Sequence, residues 1–170
     1  MDATDIPNTA PQALPRPPKE LLGSNVFLLK RLGFAAKDRS HTAFAGSGLS
    51  AFHYAVLALL EEDLRETQAQ IADALGYDRS LIVRLLDELE EQQLVTRTRD
   101  PEDRRRHVVK LTPSGHSMLL ELRAIVQGLE DDFLSPLDAD EREVLHALLS
   151  KVASYHDPRC VLRGPAPQQR

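Results

Sequence analysis

Three consecutive arginines, Arg104, Arg105 and Arg106, stand in a polar stretch close to Arg97, Arg99 and Lys110. Guanidinium groups at that density bind phosphate. From Val95 to Thr112 six basic residues meet three acidic ones, a local excess of positive charge in a chain whose formal net charge is -5. Upstream, Ser80, Val83, Arg84 and Asp87 recur at helical spacing opposite Ile82, Leu85, Leu86 and Leu89, and Arg79 lies at the start of the same stretch. A hydroxyl, a β-branched apolar group and an arginine near the helix N-terminus take the place of the usual Glu and Lys of a solvated face, and that set suits base edges in a major groove. Thr67 and Gln68 stand at another helix start, where backbone N–H groups favour a phosphate.

The elements that must hold these residues follow from caps and periodicity. Thr67 with Gln70 is a capping box, and it opens a short helix that carries Ile71, Ala74 and Leu75 and ends at Gly76. Asp78 caps the next helix so soon afterwards that the two must cross steeply, as in a helix-turn-helix. Val95 to Arg99 and His107 to Thr112 alternate like strands, and the arginine-rich loop between them makes the pair a wing. The tip of a wing can follow the DNA backbone or place an arginine in the minor groove. The spacing also predicts a helix over about 19–39, one within 49–62 with Phe52, Ala55, Val56, Leu59 and Leu60 buried, and helices over about 113–134 and 138–155.

Residues 1–18, with five prolines, read as a disordered tail, and 156–170 as a loose C-terminal tail. The 170 residues therefore hold one domain over 19–155, with a reading module at about 49–112. Hydrophobic residues make up 42% and aromatic ones only 5%, without Trp, which favours a helical core of Leu, Val, Ile and Ala. The fold class expected is mainly α with a small β-wing: a winged helix-turn-helix with N- and C-terminal dimerisation helices. The terminal helices carry more apolar surface than one module needs, so a homodimer on a pseudo-palindromic duplex is expected, with its two reading helices about 34 Å apart.

One cysteine, Cys160, excludes an internal disulfide framework, and no window approaches a membrane span, so the expected address is cytoplasmic, on the nucleoid through DNA. The six histidines form no H-x-x-x-H or Cys/His cluster, and phosphate loop, G-x-S-x-G elbow and H-E-x-x-H are all missing. Neither a cofactor, a metal nor catalysis is expected.

Thr67-Gln68-Ala69-Gln70-Ile71-Ala72, Asp78-Arg79-Ser80, Leu85-Leu86-Asp87-Glu88-Leu89-Glu90, Leu94-Val95, Asp100-Pro101-Glu102-Asp103-Arg104-Arg105 and Leu111-Thr112-Pro113-Ser114-Gly115 occur in order, and together they resemble the MarR family of bacterial transcriptional regulators. The resemblance covers roughly residues 20–155. It implies a homodimeric repressor on an inverted repeat, with the helix after Asp78 in the major groove, Arg104 in the minor groove, and Asp103 paired with Arg105 or Arg106 to hold the wing tip. It also implies release by a phenolic or other small aromatic acid, with His41, Phe44, His53 and Tyr54 as candidate pocket residues. Cys160 does not occupy the position of the family's oxidation-sensing thiols, near the start of the first long helix.

Each assignment has a plainer counterpart. An arginine run is usually a solvated loop, Arg84 can pair with Glu88 one turn on, and the Thr67 cap can be only a cap. For the chain as a whole the alternative is a winged-helix protein-interaction module that does not bind DNA.

Overall fold

The computed structural model describes residues 16–62, 66–99 and 107–161. Two compact units divide the chain between Lys37 and Asp38. The first holds α1 (Lys19–Leu22) and the beginning of α2 (Asn25–Phe44). The single helix expected over 19–39 starts at Lys19 as expected but is broken after Leu22 and ends later than expected. Gly23 closes α1, and the Ser24 hydroxyl accepts the Phe27 N–H at 3.3 Å, starting a new helix. At the other end α2 runs on to Phe44, which is buried and belongs to the core of the second unit.

The second unit continues with α3 (Ala51–Glu61), β1 (Glu66–Thr67), α4 (Gln68–Leu75), α5 (Arg79–Glu91), β2 (Val95–Arg99), β3 (His107–Leu111), α6 (Pro113–Phe133) and α7 (Ala139–His156). A 3-10 turn, Pro158–Cys160, follows. That turn corrects part of the loose tail expected from 156, because the Asp157 carboxylate accepts the Arg159 backbone N–H and both Nε and Nη2 of its side chain. The guanidinium holds the carboxyl down to about 2.

The caps expected at Thr67 and Asp78 form, and further caps stand at Thr112 and Asp138. Thr67 and Gln70 make a capping box, as do Asp138 and Glu141, and Asp78 and Thr112 cap α5 and α6. Gly76 closes α4 at φ +66°, where a side chain would be strained, and the Arg159 guanidinium lies where its Cβ would stand. Ile82, Leu85, Leu86 and Leu89 of α5 are buried, facing Val56, Leu57 and Leu60 of α3 and Leu119 and Leu122 of α6 in one apolar cluster.

Two expectations shift. The buried side of α3 is His53, Val56, Leu57 and Leu60, and Phe52 turns outward to meet Tyr77 edge-on at 5.3 Å between centroids. The wing pair is joined by a third strand, in the order β1-β3-β2, because Glu66 and Thr67 pair antiparallel with Val109 and Val108. β3 is thus the central strand, and its adjacent Val108 and Val109 are both buried. Among the described residues no helix is long and apolar enough to cross a membrane.

Candidate nucleic-acid interface

Asp78 sets the geometry of the outward face of α5. Its carboxylate accepts the Ser80 N–H at 2.8 Å and also the Ser80 hydroxyl, and these bonds hold its pKa below the usual carboxylate value. With its proton committed to Asp78, Ser80 Oγ is left as an acceptor, the role that suits an amino group of cytosine or adenine. Arg79, Ser80, Val83 and Arg84 are all exposed on the first turns of the helix. Arg84 also makes the one-turn contact to Glu88, Nη1 to Oε1 at 3.4 Å, with its side chain still 65% exposed. An exposed pair of that length adds little to stability. On α4, the Thr67 hydroxyl accepts the Gln70 N–H at 3.3 Å and Gln70 Oε1 accepts the Thr67 N–H at 2.9 Å, with Gln68 first in the helix.

β1 brings Thr67 into register with Val108, which ties the start of α4 to the wing. A second tie runs from the wing to α5. Arg97 on β2 pairs through Nη2 with Asp87, and its buried Nε sits 3.2 Å from Glu90 Oε2, out of line for a hydrogen bond. Arg97 thereby lies between two carboxylates of α5, offsetting one of their two charges, and holds the wing strand against that helix. The expected wing-tip residues Asp103, Arg104, Arg105 and Arg106 lie outside the described residues.

None of the four candidate pocket residues lines the groove between α2 and α6. His41 is exposed on α2, Phe44 is in the core, and half-buried Tyr54 tilts against Phe44 at 6.4 Å between centroids. His53 is 6% exposed and engaged at both ring nitrogens: Nδ1 accepts the Ser50 N–H at 3.0 Å, and Nε2 lies 2.8 Å from Glu88 Oε2 on α5. His53 therefore links α3 to α5. The groove between α2 and α6 has a volume of about 590 Å³ and is lined by Asp38, Arg39, Thr42, Leu129 and Asp132 among others, with Arg39 paired to Asp132. Helical periodicity could not reveal the Glu88 and Arg97 partnerships, which join residues 35 and 10 positions apart.

Burial lowers the pKa of His53 below its ordinary 6.5; the hydrogen bond it donates to Glu88 opposes that shift and nearby Arg84 adds to it. An unfolded chain protonates this imidazole as the pH falls through about 6.5 while the folded chain resists, so protons favour unfolding. The stability contributed by neutral His53 is present above pH 6.5 and is lost below it, down to the lowered folded pKa. Thermal melts between pH 7.5 and 5 should therefore fall more steeply for the parent than for His53→Gln, which keeps a capping partner for Ser50; equal slopes would show that His53 does not carry this linkage.

The MarR family model matches residues 47–106, which take in α3, α4, α5 and β2. A protein of Thauera aromatica named as a transcriptional regulatory protein for the hcr operon is 31% identical over 133 residues, 78% of this chain and 80% of that protein. The transcriptional repressor CouR bound to a 23-mer DNA duplex superposes with a TM-score of 0.73 at 32% identity, over 79% of this chain and 95% of the repressor. CouR from Rhodococcus jostii bound to p-coumaroyl-CoA gives 0.68 at 31% identity, over 81% and 95% of the two chains. With its helix-turn-helix capped at Thr67 and Asp78 and a three-stranded wing tied to the reading helix, this chain belongs to the MarR family of transcriptional regulators.

Proposed function

We propose that the protein is a homodimeric repressor that places α5 of each protomer in successive major grooves of a pseudo-palindromic operator and leaves DNA when it binds a small aromatic acid. The observation that carries this reading is the outward face of α5. Arg79, Ser80, Val83 and Arg84 are exposed together on a helix whose opposite face is fully packed and whose flank is fixed to the wing by Arg97. A rigid helix that presents mixed donors, acceptors and one apolar contact is suited to reading base edges. Arg104, Arg105 and Arg106 follow the backbone or enter the minor groove, with Asp103 bracing the tip, and Thr67 and Gln68 meet a phosphate.

CouR has been captured with DNA and with p-coumaroyl-CoA, a phenolic acyl thioester. A ligand of this class fits the α2–α6 groove, where apolar Leu129 and Ile125 accompany Arg39, a cation able to exchange Asp132 for a carboxylate or a phosphate. Binding there shifts the dimer towards a spacing of reading helices that the operator does not accept.

Selection of bound duplexes from a random pool, followed by release trials with benzoates, hydroxycinnamates and their CoA thioesters, tests both halves. Arg84→Ala should cost about 1–3 kcal/mol at particular base pairs, whereas Arg104→Ala should weaken all duplexes alike and reduce the salt dependence. A pool that yields no symmetric site would favour the protein-interaction module.

A further inference from the structure

Glu88 sits between two quite different neighbours. One carboxylate oxygen is 2.8 Å from Nε2 of buried His53, and the other faces Nη1 of exposed Arg84 at 3.4 Å. The protonation of the ring follows from its other nitrogen. Nδ1 accepts the Ser50 backbone N–H at 3.0 Å, a group that can only donate, so the proton resides on Nε2 and is donated to Glu88. Ser50 is the N-cap of α3, and the chain of contacts runs from that cap through the imidazole to the carboxylate and the arginine. With one oxygen fixed from behind, the carboxylate plane is set and offers Arg84 a directed acceptor.

We infer that Glu88, held by His53, is the positioning residue for Arg84, and that base preference is set in part by two side chains that never touch DNA. The inference rests on the reading of Arg84 as a base contact. An arginine already biased towards one rotamer loses less freedom on binding, so its preferred base is favoured over the others by more than a freely rotating side chain would allow. Electrostatics adds a second signature: Glu88 is an anion beside the DNA-facing surface, so it weakens binding to every duplex while sharpening the choice among them.

The test measures affinities of the full-length protein for the selected operator and for duplexes substituted at the base pairs that Arg84→Ala makes indifferent. Glu88→Gln should bind all duplexes more tightly, yet discriminate about 3- to 10-fold less at those base pairs. His53→Gln, which keeps the Ser50 cap, should lose similar discrimination without gaining affinity. At base pairs that Arg84→Ala leaves discriminated, neither substitution should change the preference. Discrimination unchanged in Glu88→Gln, or an equal loss at base pairs whose preference does not depend on Arg84, overturns the positioning role and leaves the Arg84 reading standing. If Arg84→Ala flattens no base pair, both fall together.

Discussion

Glutamate in place of both Leu148 and Val152 is expected to leave the protein monomeric and to lower its affinity for a two-half-site operator by about 100-fold or more. The reasoning begins with α7, a helix of 18 residues that has no buried position within its own chain. Its apolar side chains nonetheless recur at helical spacing: Val144 is 59% exposed, Leu148 58% and Val152 51%, and Tyr155 continues the stripe. A single chain has no reason to maintain such a stripe in water, whereas an isologous contact between two copies would bury it. Two carboxylates in that contact would face each other and their symmetry mates in a desolvated setting, which a dimer cannot accommodate. Each monomer would keep its capped helix-turn-helix, so binding to an isolated half-site should survive at the weak level of one module. Sedimentation together with titration of whole and half operators reads both effects. A variant that remained dimeric and bound the whole operator as tightly as the parent would place the interface elsewhere.

The reading unit was legible in the sequence because local rules govern it. Ile82, Leu85, Leu86 and Leu89 are the buried positions of α5 as their spacing implies, and the boundaries at Thr67, Gly76, Asp78 and Thr112 come from side chains that bond to nearby backbone. Where tertiary contact decides, the spacing misleads. His53 counts as polar in any periodic pattern, yet its ring is buried because Ser50 and Glu88 satisfy both nitrogens, and this turns α3 so that Phe52 faces outward. Two residues of β1 are too short to register as a strand until β3 supplies their partners. α2 passes its expected end because Phe44 is needed in the core, which no local breaker before Gly46 prevents. The face of α5 was visible as a set of residue types, but what steadies it, Glu88 behind Arg84 and Arg97 across Asp87, depends on elements distant in the chain.

Gly115→Ala should destabilise the fold by about 3 kcal/mol or more, although it adds one methyl group to a helix. In the sequence Thr112-Pro113-Ser114-Gly115 reads as a cap followed by a proline at the first helical position, and its glycine has no evident task. The structure gives it one. Thr112 donates its backbone N–H to the Leu94 carbonyl at 3.0 Å and its hydroxyl to the Gln93 carbonyl at 2.7 Å, and the Gly115 N–H returns to the Thr112 hydroxyl at 2.9 Å. The first turn of α6 is thereby drawn onto the backbone where α5 ends and β2 begins. A Cβ on Gly115 would overlap the Leu94 carbonyl oxygen and stand 3.0 Å from its carbon, and neither can yield without moving the strand. Gly128 on the same helix is the control, because its added Cβ would meet nothing within 4 Å. There the substitution should stabilise by up to about 1 kcal/mol through helix propensity alone. Thermal melts should therefore separate the two variants by roughly 10 °C in opposite directions from the parent. A Gly115→Ala protein that melts within a degree or two of Gly128→Ala would show that α6 does not approach Leu94 so closely. The anchor between the wing and the long helix would then have to be sought in the Thr112 bonds alone.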